Sequence, residues 1–169
     1  MELEKVLLKR RSIRKFKDEE VSNEEIQKIL YFAMTAPSAC NKQPWEFHVI
    51  KNEETLAKIK KASMFSRYNA PLAIVVSGNL KKALPFKMAD YWIQDCSSAI
   101  SYMLLEITNL GLGAVWCGLH PQKTPVKKVR ELLSLDENIV PLGLILIGRP
   151  NEEKGEKPKF DEKKVHYVE

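Results

Sequence analysis

The chain reads as one domain of mixed helix and strand whose sheet is not of the doubly wound parallel kind. Three observations lead there. Helical and strand-like segments alternate along 169 residues. The first strand-like run comes only after an arginine cluster and a helix, and no G-x-G-x-x-G turn is present. Doubly wound sheets instead place a Gly-rich or Ser/Thr-rich phosphate loop directly after their first strand.

Residues 2–9 suit a short amphipathic helix with Leu3, Val6 and Leu7 on one side. Ser22 with Glu25 three residues later is a capping-box pattern, and the helix it opens should run through Ile26, Ile29, Leu30 and Ala33. That helix stops before Pro37, because the residue preceding a proline is pushed out of helical geometry. The loop over 37–45 leads into a strand at 46–51, and Asn52 can cap a further helix holding Leu56, Ile59 and Lys60. Residues 71–78 are continuously apolar and of strand length, which predicts cover on both faces.

The longest helix is expected over 88–110, ended by Gly111 at a position that favours glycine. Its Ile93, Cys96, Ile100, Met103, Leu104 and Ile107 make an apolar stripe wider than a surface helix needs, so it should be central. Residues 113–116 read as a strand, and Thr124-Pro125 as the cap and first position of a helix through Leu133. Residues 140–148 read as another buried strand. From Asn151 the chain turns polar and rich in Lys and Glu, and only 165–168 regain a β-like pattern. Such a tail cannot bury enough surface alone to stay ordered. Its apolar end suits an edge added to another chain's sheet; the alternative is a frayed terminus.

Hydrophobic residues at 44% and charged residues at 29% describe an ordinary globular chain, long enough for one substantial core. No apolar run approaches the ~20 residues of a membrane span. The start of the chain lacks the apolar core of a signal peptide, so the cytoplasm is the expected compartment. Lys plus Arg outnumber Asp plus Glu, 27 to 22. The excess suits an anionic ligand, but neither basic cluster (9–14, 154–164) interleaves aromatics as a base-stacking surface would. Cys40, Cys96 and Cys117 are an odd number without C-x-x-C spacing, and the three histidines are scattered. No metal site is expected, and the thiols should be reduced.

Two segments carry most of the chemistry. Lys9-Arg10-Arg11-Ser12-Ile13-Arg14 packs three guanidiniums and a hydroxyl together, and the forked donors of Arg match phosphate or carboxylate oxygens in pairs. Residues 10, 12 and 14 share one side if the segment is extended. Pro37-Ser38-Ala39-Cys40-Asn41-Lys42-Gln43-Pro44-Trp45 mixes turn formers with two amide side chains and ends on an indole. Amides offer donors and acceptors to one flat polar ligand.

In this order and spacing the two segments resemble the flavin-dependent nitroreductase family. The resemblance continues through Gln94-Asp95, residues 111–116, Gly148-Arg149-Pro150 and the basic tail. It implies an α+β fold with a central mixed, mostly antiparallel sheet flanked by helices. It further implies a single domain over 1–169, with 151–169 as a C-terminal arm. The family is an obligate homodimer with exchanged C-terminal arms and FMN in a groove between subunits.

By that resemblance Arg10, Ser12 and Arg14 reach the ribityl phosphate and the pyrimidine edge of FMN, with Arg11 contributing mainly through its backbone. Pro37, Ser38, Ala39, Asn41 and Gln43 would approach the flavin from the partner subunit. Trp45 then either fills core or stacks on the ring. Trp116, Cys117 and Gly118, with Val115 and Leu119, match the segment along the isoalloxazine, where backbone N–H groups face N5. Many members carry Pro-x-Glu-Gly there, and this chain departs from it. Lys157 and Lys159 match a pair that grips the phosphate, with Arg149 as an alternative ligand.

The implied activity is an FMN-dependent oxidoreductase moving electrons from NAD(P)H through flavin N5 to an electron-poor acceptor, such as a nitroaromatic or quinone, by a ping-pong mechanism. The cofactor supplies the hard chemistry, and no catalytic side chain is singled out. The rival reading is a non-catalytic flavin or nucleotide-binding sensor or carrier. A variable lid is expected at 64–68 or 81–89. Phe65, Tyr68, Phe86, Tyr91 and Trp92 are candidates for an aromatic pocket or for ordinary packing.

Overall fold

A computed structural model describes residues 1–156 and 159–168. In chain order the elements are α1 (Leu3–Lys9), α2 (Asn23–Ala33), β1 (Trp45–Ile50), α3 (Glu53–Ile59), β2 (Leu72–Asn79), α4 (Tyr91–Asn109), β3 (Gly113–Gly118), α5 (Lys123–Leu132) and β4 (Ile139–Gly148). The strands form one sheet in the order β1-β2-β4-β3, and each ladder is antiparallel. Parallel pairing among the described residues is confined to a bridge between Ser12 and Ala114. The fold is therefore the expected α+β arrangement, with a sheet more uniformly antiparallel than mixed.

Strand alternation splits the core into two layers. Leu72, Ile74 and Val76 of β2 face Ile26 and Ile29 of α2 and Ile100 and Met103 of α4. Ala73 and Val75 face Leu56 and Ile59 of α3 and Val129 of α5. A large aliphatic side chain buried this way contributes ~1.5–3 kcal/mol, which is why the apolar run of β2 sits at the centre. α4 lies across the first layer as its wide stripe predicts, and Gly111 ends it with φ of 75°.

The β2–β4 register shifts between Val76 and Ser77, where Val76 pairs with Gly143 but Ser77 with Pro141. Leu142 is the extra residue of this bulge. It switches the alternation, so Leu142 and Ile145 both enter the α4-side layer. Pro141 cannot donate to a ladder, and a bulge is where a strand tolerates it.

Ser22 accepts the amide of Glu25 at 3.2 Å and Glu25 accepts that of Ser22 at 2.9 Å, completing the predicted capping box. Asn52 caps α3 through Thr55 at 3.0 Å. One expectation is corrected. α5 starts at Lys123 with Gln122 as its cap, so Pro125 stands at the third position rather than the first. Its missing N–H costs nothing there, since the first helical bond runs from Val126 to Gln122. Residues 165–168 pair with no strand of their own chain, in keeping with an edge meant for another chain's sheet, and Tyr167 and Val168 are almost fully exposed. In α1 only Val6 is buried, while Leu3 and Leu7 face outward. Among the described residues no helix is long and apolar enough to cross a membrane.

Candidate flavin-phosphate site

Backbone pairing builds the first half of the site. α1 closes with the Arg10 amide on the Val6 carbonyl, and the chain then runs extended beside β3. Ser12 bridges Ala114, and the Ile13 amide donates to the Ala114 carbonyl at 2.8 Å. Ile13 turns inward onto Gly113, where a Cβ would come within 2.8 Å of its side chain. The alternation then turns Ser12 and Arg14 away from the core, as the extended reading requires.

The chain after β4 fastens this segment. Lys17 donates its amide to the Arg149 carbonyl and Asn151 to that of Lys15, both at 2.9 Å. Glu152 accepts the amides of Arg14 at 2.5 Å and Lys15 at 3.2 Å. The hydrogen bonds it receives draw its carboxyl below the usual range, chiefly the one from the Arg14 amide. Lys154 donates to the Ser12 carbonyl at 2.6 Å, and Arg11 donates to the Gly155 carbonyl. A pocket of about 440 Å³ results, lined by Leu7, Leu8, Arg10, Arg11, Ser12, Arg14, Lys154 and Lys159. Its lining has five cations and no carboxylate. Forked donors around a cavity of that size fit a phosphate dianion.

Lys154 was not singled out by sequence reasoning. It is one lysine among many in a polar tail, and only its reach to the Ser12 carbonyl distinguishes it. Lys159 lines the pocket. Lys157 lies outside the described residues. Arg149, the alternative ligand, is not among the residues lining this pocket: its guanidinium pairs with Glu25 at 2.8 Å and ties the end of β4 to the capping box of α2.

Residues 37–43 form the second half. Ala39 donates its amide to Asp95 of α4 at 2.7 Å, Gln43 donates its amide to the Ser38 hydroxyl at 3.0 Å, and the Gln43 side chain donates to Asn41 at 3.1 Å. Cys40, Asn41 and Gln43 hold φ of 49°, 54° and 47°. Left-handed backbone costs a non-glycine residue ~1–2 kcal/mol, and such outliers cluster at binding sites. Asp95 is 4% exposed, and its second oxygen has no partner among the described residues. Trp45 is buried in the core, which resolves its two readings in favour of packing.

The third segment is the last turn of β3. Trp116 lies over Gly143, where a Cβ would sit 2.2 Å from the indole nitrogen. Cys117 points to the opposite face and donates its thiol to the Phe65 carbonyl at 3.0 Å. Gly118 has nothing within 4 Å of a would-be Cβ, leaving the backbone open to a ligand. The first motif joins β3 at Ala114 and the open backbone lies at Gly118. The 37–43 loop precedes Trp45, which pairs with Gly78 at the sheet end shared with Gly118. Among the described residues no hydrogen bond or ion pair joins residues 10–14 to residues 37–43.

The five aromatics do not form one pocket. Trp92 is buried against Gly78 and edge-on to His120 at 5.1 Å, while Phe65 and Phe86 stand in the open.

The sequence matches the Nitroreductase family over residues 7–67 and 65–149. A protein of Archaeoglobus fulgidus with the provisional name NADH dehydrogenase/NAD(P)H nitroreductase is 44% identical over 153 residues, 89% of this chain and 86% of that protein. The structure of an FMN-dependent nitroreductase from Clostridium difficile superposes with TM-score 0.88 at 36% identity, covering 97% of this chain and 98% of the other. A provisionally named nitroreductase from Desulfovibrio desulfuricans, in complex with FMN, superposes with TM-score 0.84 at 25% identity over 100% of this chain and 98% of its own. With matched sequence over most of its length and the same fold, this chain belongs to the Nitroreductase family.

Proposed function

We infer that this chain is an FMN-dependent NAD(P)H oxidoreductase that delivers electrons to an electron-poor acceptor by a ping-pong mechanism. The observation that carries the reading is the cationic pocket on the Ser12 side of β3, one strand-length from the open backbone at Gly118. Arg10, Arg11, Arg14, Lys154 and Lys159 would hold the phosphate of FMN. The backbone at Cys117 and Gly118 would border the ring. FMN supplies the redox chemistry when bound, taking hydride from a nicotinamide and passing electrons onward. The protein orients and shields it, and Arg14 places positive charge beside Cys117.

A homodimer completes this reading. The 37–43 loop carries prearranged amides at the other end of the sheet, as expected of a group offered to a partner's flavin. Met1, Leu3, Val6, Phe32, Tyr102 and Leu105 line an apolar groove of about 470 Å³. The exposed Tyr167 and Val168 give the C-terminal arm apolar residues to bury on a second chain. The acceptor class, nitroaromatic or quinone, would be admitted past the exposed Met64 and Phe65.

The test is the absorbance spectrum of the purified protein, before and after anaerobic addition of NADH or NADPH. Flavin bands that bleach, followed by reoxidation with an acceptor, support the proposal. A flavin indifferent to both nucleotides points to a sensor or carrier. A protein that takes up no FMN sinks it.

A further inference from the structure

A second cationic pocket lies beyond Cys117, on the α3–α5 side of the sheet. Its floor is the 63–67 turn, held by the Cys117 thiol on the Phe65 carbonyl. The turn is rigid. Ser66 is fully buried, and its single hydroxyl proton is shared between the carbonyls of Lys60 at 3.0 Å and Ser63 at 3.1 Å. Lys61 and Arg67 leave this turn on either side, and Lys128 of α5 faces them across a cavity of about 230 Å³. Thr124 and Gln122 add neutral hydrogen-bonding groups, and no carboxylate lines the cavity. Lys61 and Arg67 also line a neighbouring cavity of about 500 Å³ with Lys60 and Tyr68, again without a carboxylate.

None of Lys61, Arg67 and Lys128 has an ion-pair partner among the described residues, whereas Lys127 one position along pairs with Glu131 at 3.8 Å. Three like charges around one small cavity repel one another unless an anion enters. The smaller cavity has room for a phosphoryl group rather than a whole dinucleotide. It is also one side chain from the strand that borders the proposed flavin.

We propose that Lys61, Arg67 and Lys128 form the docking site for the phosphoryl groups of the reduced nicotinamide dinucleotide. The site rests on the flavin reading above and adds to it the place where the electron donor's anionic end is held. A fork at Arg67 receives two phosphate oxygens at once, while the lysines supply charge. The nicotinamide end then extends toward β3 past Phe65. The shared chemistry is the phosphoryl group, which both dinucleotides carry in their pyrophosphate and NADPH carries also at its ribose.

The experiment uses FMN-saturated protein, so that the first cationic pocket is filled, and titrates it with inorganic pyrophosphate by calorimetry. Wild type should bind, and the double variant Lys61→Gln/Arg67→Gln should bind about tenfold more weakly, as expected when charge-assisted contacts are lost. In steady state the same variant should raise KM for the dinucleotide by a similar factor and leave FMN affinity alone. Lys127→Gln, outside the cavity, should behave as wild type. A rise for NADPH alone assigns the ribose phosphate, and a rise for both dinucleotides assigns the pyrophosphate. Unchanged pyrophosphate binding in the double variant overturns the proposal, as does a KM effect confined to the acceptor. If the protein takes up no FMN, the flavin reading fails separately. Pyrophosphate then meets two cationic pockets, and the double variant must still weaken one of the two binding events by about tenfold.

Discussion

Asp95 holds the Ala39 amide at 2.7 Å from the N-terminal half of α4. This bond spans 56 residues of sequence and fixes the start of a loop with three left-handed residues. The other carboxylate oxygen of Asp95 is buried without a partner among the described residues. A buried polar atom in that state costs ~1–3 kcal/mol, so Asp95 serves the loop at the expense of the core.

Asp95→Ala separates the two roles. Removing the carboxylate frees Ala39 and lets the loop relax out of its left-handed backbone, so FMN should bind about tenfold more weakly, a loss of ~1.4 kcal/mol. The melting temperature of the flavin-free protein should hold or rise, because a strained loop and an unpartnered buried oxygen are both relieved. Fluorescence titration with FMN and thermal melts check the pair. A fall in stability with unchanged FMN affinity would reduce Asp95 to an ordinary core residue.

Lys154 is the corresponding test at the other pocket. Its ammonium holds the Ser12 carbonyl at 2.6 Å and Glu152 at 3.1 Å, so it shapes the 10–14 segment and adds charge to the cavity. Lys154→Met keeps the aliphatic stem and removes both effects. FMN affinity should fall about tenfold, on the scale of one lost charge-assisted contact, and the residual affinity should depend less on salt. Retention of FMN equal to wild type through dialysis would exclude Lys154 from the site.

The parts of this molecule that were legible in the sequence are those set by neighbours along the chain. Ser22 and Glu25 cap a helix because they stand three apart, and the run of β2 is buried because it is apolar throughout. Arg10, Ser12 and Arg14 share a face because alternate residues of an extended chain do. Lys154 and Arg149 were not legible for the opposite reason. Whether a basic side chain meets a ligand or a carboxylate depends on which distant segment lies beside it, here Ser12 for one and Glu25 for the other. Pro125 misled by two residues, since a proline is tolerated anywhere before the first helical hydrogen bond. The strand expected at 165–168 needs a partner edge that no single chain supplies.

Arg149→Gln should distinguish its structural place from a role in phosphate binding. The guanidinium pairs with Glu25 at 2.8 Å, both groups partly buried. Loss of the pair should cost about 1 kcal/mol, a drop of roughly 3 °C in melting temperature for a chain of this size, with FMN affinity unchanged. The pH dependence offers a second check. Burial alone would raise the Glu25 carboxyl, but hydrogen bonds from the Ser22 amide and Arg149 outweigh it and hold it below the usual 4.5. Its stabilisation is therefore in place above that value and lost as pH falls through the folded-state titration. The variant should lose less stability than wild type on going from pH 6 into that acid range.

The three cysteines make an opposite prediction at high pH. Burial pushes the Cys96 thiol up to about 12, with the neighbouring Asp95 charge adding to it. Burial pushes Cys117 up to about 11, against a smaller downward pull from Arg14. Only the thiolate attacks, and at pH 8 a thiol titrating near 11 is ionised to about one part in a thousand. Cys40 is exposed. A disulfide reagent should therefore label one thiol per chain in the native protein at pH 8, at Cys40, and three after denaturation. The same raised values tie stability to pH. The folded chain keeps its protons where the unfolded chain has lost them, so stability is full below about pH 8.5 and falls as pH climbs toward 11 and 12. Cys117→Ser should flatten that alkaline slope. A second thiol reacting rapidly in the native state would mean that the Cys117 bond to Phe65 opens, and with it the turn that carries Lys61 and Arg67.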